Sequence, residues 1–522
     1  MTDMPRPQRI FLPILLALPF AILLVNHNWP FQSFGDYDAF FYFGQFLHFP
    51  HYQKLAPTYA GERLPWILPG YALLHLLGPT AGELALHFLV WYTSVFSLYS
   101  IVARFTTPQT GFLAACALGI HPYFLAAAGM DYVSGACLAY ALLTFALLIR
   151  SWPVCILLAG VSWAAAVYCY PTWILFTPAC MPIYLAAHAR VRVLRATLLF
   201  AAGALALTVA LALLHHHIYG DGFNFQKITI ATARAATNVH ENPYVSQNFT
   251  VTYADWLVFP GLAAAAAVWL LIKARAADRY LALSYLYCAA VMLLLTIGPA
   301  RILEFDYFSS FLIPGAFLVF GVFFFRFEDR WTTPSFWILA AAVCVISLAP
   351  LAHPGLYIKP PILGAVAPGA FLTAALALRS FQKSPKAMIL AAPLLAAANF
   401  CLAPAVGGIA WKDHRDWMAA TTRVAQAVKI IQARLPHDKY PAFWFQQSDP
   451  DSLEYQAIMC AFLSHGISEL NYPVVDREYP PGQVVIILSE AEVGSPHMSV
   501  LWQVPVMTVG KPIWITATEV TR

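Results

Sequence analysis

Two carboxylates two residues apart, Asp36 and Asp38, stand among Phe34, Tyr37, Phe40 and Phe41. An aromatic, partly dry setting raises a carboxylate's proton affinity, which suits it to take a proton from a hydroxyl; beside a phosphate, the same pair can hold a divalent cation. A third carboxylate, Asp131, follows Gly129 and Met130 at the head of an apolar run. Each has a plainer reading, because an aspartate ahead of a helix is a favoured N-cap. Their weight as a group comes from the compartment they share, which depends on how the chain crosses a membrane.

Basic residues supply the complementary chemistry. Arg63, next to Glu62 and ahead of Pro65, offers a planar fork of N–H donors to a single phosphate-type anion. Arg301 and Lys359 are weaker versions of the same case, and Arg301 has Glu304 and Asp306 nearby as ion-pair partners. The run His215-His216-His217 cannot grip one ion with all three rings, since consecutive helical residues point about 100° apart. One of them, such as His217, or His240, could join Glu62 around a divalent metal cation; the plainer role is a polar cap at a helix end.

The elements that must position these groups are set by composition. Of 522 residues, 60% are hydrophobic and only 11% charged, too little charge to coat a soluble globule of this size. The reading is an all-α polytopic membrane protein. The net charge of +4 carries no nucleic-acid inference, because most of the basic residues fall in short loops between apolar runs. The nine cysteines include no CxxC pair and no metal-ligand spacing, which argues against a disulfide framework or a zinc site.

Apolar stretches long enough to cross about 30 Å of hydrocarbon are expected at residues 10–26, 83–103, 111–128, 132–149, 153–169, 172–189, 196–218, 256–272, 280–298, 307–325, 334–352, 362–378 and 388–406. That makes about thirteen transmembrane helices. Every loop assigned to the inside is basic: Arg6 and Arg9, Arg104, Arg150, Arg190 to Arg195, Lys273 to Arg279, Arg326 and Arg330, Arg379 to Lys386. The N-terminus is then cytoplasmic and the C-terminus external. The loop at 27–82, with an interfacial helix beginning near Leu64, is external, and so are the loop at 219–255 and Asp131. Residues 1–410 form the membrane domain. Residues 411–522 turn polar and read as a small external α/β domain, with strands near Ala442 to Phe445 and Val484 to Leu488, a helix over 451–465, and paired strands across 504–519.

Asp38 with Tyr42 four residues later, then Glu62-Arg63-x-Pro65 and Pro69, then Pro122, Asp131 and an apolar helix ending at Arg150, together resemble the GT-C glycosyltransferases. The closest branch is similar to the bacterial lipid A aminoarabinose transferases and the protein O-mannosyltransferases. The resemblance is carried by the first 150 residues and by the general plan of spans plus an external C-terminal domain. It implies transfer of a sugar from a polyprenyl-phosphate donor to lipid A, a polysaccharide or a protein hydroxyl on the external face. It further implies Asp38 as catalytic base, Asp131 as second acid, Arg63 as donor-phosphate ligand and Glu62 as its neighbouring acid. The chain departs from the family's pair of acids in having Asp36-x-Asp38, which leaves two candidates for the base; the Tyr42 spacing favours Asp38. A transporter or lipid flippase is the alternative, but such proteins gather ionisable residues at mid-membrane and interrupt helices there. A membrane-anchored scaffold would need none of the first-loop residues.

Overall fold

A computed structural model of the chain describes residues 8–25, 37–49, 63–119, 121–129, 132–150, 152–188, 193–220, 254–297, 311–327, 411–435, 441–446, 481–492, 497–506 and 513–521, with single helical positions at 456, 460, 463 and 464. The helices in chain order are α1 (Gln8–Val25), α2 (Tyr37–His48), α3 (Leu64–Leu77), α4 (Pro79–Phe105), α5 (Pro108–Gly119), α6 (Pro122–Ala128), α7 (Val133–Leu148), α8 (Pro153–Cys169), α9 (Cys180–Ala187), α10 (Val193–Tyr219), α11 (Ala254–Lys273), α12 (Ala276–Ile297), α13 (Ile313–Phe327) and α14 (Trp411–Arg434). A 3-10 segment, Pro171–Ala179, joins α8 to α9. Strands β1 (Ala442–Gln446), β2 (Val484–Ser489), β3 (Met498–Val506) and β4 (Ile513–Val520) complete the described chain. The class is therefore the expected one, a helical body with a small C-terminal sheet.

Among the described residues, α4, α10 and α12 are long and apolar enough to cross a membrane. The 27 residues of α4 rise about 40 Å, more than a hydrocarbon core requires. Two expected spans are broken. The one at 111–128 divides between α5 and α6, because Pro122 has no N–H to continue the ladder and instead opens α6. The one at 172–189 is 3-10 as far as Ala179, with Pro171 at its start and Pro178 inside it, and only then α-helical. The short external helix expected near Leu64 runs for fourteen residues as α3. Expected spans 334–352, 362–378 and 388–406 lie outside the described residues.

The described residues fall into two compact units. The first takes those of Met1–Gln32, Leu84–His216 and Gly222–Gly408; the second takes those of Ser33–Glu83, His217–Asp221 and Ile409–Arg522. In the first, α8 and α10 meet through facing glycines: a Cβ on Gly160 would strike the Phe200 carbonyl, and one on Gly203 the Leu157 carbonyl. Small residues let helix backbones approach this closely in lipid, where the hydrophobic effect does not drive helices together. A buried ion pair ties α12 to α13. Asp278, fully buried, accepts from Arg326 Nε at 2.7 Å and Nη2 at 3.2 Å, and Arg326 Nη2 also donates to the Phe105 carbonyl at 3.1 Å. Breaking one partner of such a pair costs about 3–5 kcal/mol.

In the second unit the sheet order is β1-β2-β4-β3, with β1 and β2 parallel and the other two pairs antiparallel. Every residue of β2 is buried, as a central strand covered on both faces should be. One face presents Val484, Ile486 and Leu488 to Val424, Ala427, Val428 and Ile431 of α14, an i, i+3, i+4, i+7 stripe. The other face packs Val485 and Ile487 with Trp444 and Met498. β3 is the exposed edge, and Pro505 sits there, where a missing N–H is tolerated. The expected strands at 442–445, 484–488 and 504–519 are all present. Helix α14 was not anticipated, although its apolar stripe is visible in the sequence.

Candidate functional site

Helix α3 begins where it does because Pro65 occupies its first turn, while the Arg63 carbonyl accepts from the N–H groups of Trp66 at 2.9 Å and Ile67 at 3.1 Å. It ends at Gly78, whose φ of 83° suits glycine, and Pro79 then opens α4. One face of α3 buries Trp66, Ile67, Gly70 and Leu74. Gly70 is required there: a Cβ would lie 2.4 Å from the Phe46 ring of α2. Phe46 also meets Trp66 edge-on at 5.3 Å, and Phe49 meets Tyr71 at 5.5 Å, so α2 and α3 pack as an aromatic pair.

That packing fixes Arg63 relative to α2. Arg63 is 6% exposed, and its Nη1 donates to the Tyr42 hydroxyl at 2.6 Å, with Cζ 5.7 Å from the Tyr42 ring centroid. Asp38 lies in the first turn of α2, one helical turn ahead of Tyr42. Two of the sequence-predicted elements, the Asp38–Tyr42 spacing and the Arg63 motif, therefore belong to one packed helix pair. The side of α2 that carries Tyr42 and Phe46 also buries Gln45, whose amide oxygen and nitrogen have no hydrogen-bond partner among the described residues. A buried carboxamide without partners costs about 1–3 kcal/mol. Neither Tyr42 as the receptor of Arg63 nor Gln45 as a buried amide was singled out from sequence. The i, i+4 relation of Asp38 and Tyr42 is the signal for the first; no signal separates Gln45 from an ordinary polar helix residue.

Within their compact unit, the α2–α3 pair meets the C-terminal part through His48, whose Nε2 lies 3.2 Å from the Leu463 carbonyl. Gln432 of α14 donates to the carbonyls of Leu463 and Ser464, at 3.3 Å in both cases, so the helical positions near 460 are held from two sides. Cys460 is fully buried beneath them, and burial pushes its thiol up to about 12, which leaves it protonated and unreactive.

Of the other predicted residues, Asp36, Glu62, Asp131, His240, Arg301 and Lys359 lie outside the described residues. His215 is buried while His216 and His217 are exposed, as divergent side chains on one helix must be. Among the described residues no three His, Cys, Asp or Glu side chains converge on a point, and His217 by itself does not make a cation site.

No protein-family model matches the chain, and no curated protein matches it. Among solved structures it is similar to ArnT from Cupriavidus metallidurans bound to undecaprenyl phosphate, with 14% identity, a TM-score of 0.57, and 97% of each chain covered. It also overlaps ArnT from Cupriavidus metallidurans in the apo state, with 13% identity, a TM-score of 0.49, and 91% of this chain and 93% of that one covered. At such identities the likeness establishes fold, and the first of the two carries it. The chain is an integral membrane protein of GT-C architecture, as the first-loop motifs implied.

Proposed function

We propose that the chain is an inner-membrane glycosyltransferase that moves a sugar from a polyprenyl-phosphate donor to a hydroxyl of lipid A, a polysaccharide or a protein on the external face. The observation that carries this reading is the buried Arg63 guanidinium held by Tyr42, one helical turn from Asp38. The shared fold with a protein whose structure contains undecaprenyl phosphate supports the same donor class.

Asp38 takes the proton of the acceptor hydroxyl as its oxygen bonds to the anomeric carbon. The bond from that carbon to the phosphate oxygen breaks, and polyprenyl phosphate departs with the electron pair. Arg63 stabilises the charge that develops on the leaving phosphate, and Tyr42 holds the guanidinium plane. Asp131 is the second external carboxylate and Asp36 the alternative base. Glu62 flanks Arg63, while Arg301 and Lys359 are further phosphate ligands. A divalent cation held by Glu62 with His217 or His240 would add positive charge at the same phosphate. Phosphate is already a good leaving group, so positioning and charge stabilisation account for most of the rate.

The test is mass spectrometry of lipid-linked sugars and envelope glycans in cells carrying the wild-type chain, Asp38→Asn, or none. One polyprenyl-phosphate sugar should accumulate, and one glycan should lose a residue, equally in the variant and the null. If Asp38→Asn matches wild type while the null differs, the assignment of the base fails. If no lipid-linked sugar changes in the null, the transferase reading fails with it.

A further inference from the structure

At the C-terminal end of α7, a cleft of about 690 Å³ opens among the ends of α4, α7 and α8. The sixteen residues of α7 place it about 24 Å from that helix's start. Arg104 and Arg150 line it, together with Ser100, Trp152 and His188, and among the described residues no carboxylate does. Arg104 makes no hydrogen bond or ion pair among the described residues, and Arg150 donates from Nη2 to Ser100 Oγ at 3.2 Å. Asp278, a described acid of this unit, is occupied by Arg326. His188 is turned to the Leu148 carbonyl at 3.0 Å, which closes the end of α7. The rule that cytoplasmic loops are basic accounts for the sign of these charges, and so does their place near helix C-termini. Neither accounts for two guanidiniums sharing an open cleft.

The surroundings decide what kind of anion fits. Trp152, at the start of α8, is 72% exposed, and beyond it Val154 is 65% and Leu158 45% exposed. An exposed tryptophan at a helix end marks the headgroup level of a membrane, and the apolar face of α8 then lies against acyl chains. A ligand that meets two arginines at one end and an aliphatic helix face at the other is an amphiphile with an anionic head.

We propose that this cleft binds the headgroup of an anionic phospholipid, with its phosphate on Arg104 and Arg150 and its chains along Val154 and Leu158. The cleft belongs to the first compact unit and Arg63 to the second, and the proposal does not depend on the transferase reading.

The test is native mass spectrometry of the delipidated full chain, titrated with phosphatidylglycerol, phosphatidylcholine or inorganic phosphate. Wild type should bind one phosphatidylglycerol that the pair R104Q/R150Q binds about thirtyfold more weakly, the sum of two ordinary arginine–lipid attractions. R104K/R150K should keep most of the binding, since attraction to the headgroup needs charge more than fork geometry. Equal binding of phosphatidylcholine, or unchanged binding by R104Q/R150Q, overturns the proposal. Displacement of the lipid by millimolar inorganic phosphate would make the cleft a free-anion site and overturn the lipid assignment. If R104Q/R150Q does not fold, loss of phosphatidylglycerol binding by a folded R104K/R150K counts against the proposal in its place.

Discussion

A guanidinium buried to 6% exposure has lost most of its water, and the effective penalty for such a group is several kcal/mol. The Tyr42 hydroxyl at 2.6 Å offsets part of this and sets the plane in which the remaining N–H groups lie. Tyr42→Phe keeps the ring under Arg63 and removes only the acceptor. A hydrogen bond to a charged group contributes about 1.5–3 kcal/mol to the folded state, so Tyr42→Phe should lower the melting temperature, and transfer measured with purified donor and acceptor should fall roughly ten- to hundredfold as the guanidinium loses its orientation. Arg63→Lys should lose comparable activity, because an ammonium cannot present a planar fork to phosphate. If Tyr42→Phe lowered the melting temperature but left the rate intact, Tyr42 would be a packing residue only. Arg63 was legible in the sequence as a cation in a Glu-Arg-x-Pro motif. Its receptor was not assigned, because the spacing of Asp38 and Tyr42 marks a helix face without saying what lies across from it.

At the scale of elements, apolar length predicted most helices well and predicted their interruptions poorly. Residues 111–128 and 172–189 are apolar enough to read as continuous spans, yet Pro122 divides the first, and the second is 3-10 as far as Ala179 with Pro178 inside that segment. A hydropathy window averages over a missing N–H, whereas the backbone cannot. Helix contacts are a different matter, since nothing in the sequence pairs Gly160 with Gly203. Their reciprocal fit predicts that Gly160→Leu or Gly203→Leu will force α8 and α10 apart, at a cost of about 1–3 kcal/mol or more. Thermal unfolding in detergent should begin several degrees lower in either variant. Gly261 of α11 is the control: a Cβ there meets nothing within 4 Å, and Gly261→Ala should be neutral or stabilise by about 0.5–1 kcal/mol. Equal behaviour of the three variants would show that glycine approach does not hold α8 to α10.

For the molecule as a whole, the telling fact is which residues share a compact unit. The helices that carry Tyr42 and Arg63 are far in sequence from α14 and the sheet, yet they belong with them, and the His48–Leu463 contact spans 415 positions. Long-range contacts of this kind close large loops, and the ordering they impose is lost when one side is removed. The C-terminal region then supports the candidate site in addition to anything it binds. A chain ending at residue 410 should still insert in membranes, because its long apolar helices precede that point. Its α2 and α3 amides should exchange hydrogen much faster than in the full chain, while those of α7 and α8 keep their protection. His48→Ala in the full chain should give a smaller effect of the same kind, confined to α2 and the positions around Leu463. Unchanged protection of α2 and α3 in the shortened chain would mean that the aromatic packing of Phe46, Trp66, Phe49 and Tyr71 holds the pair by itself, leaving the C-terminal sheet free for another task.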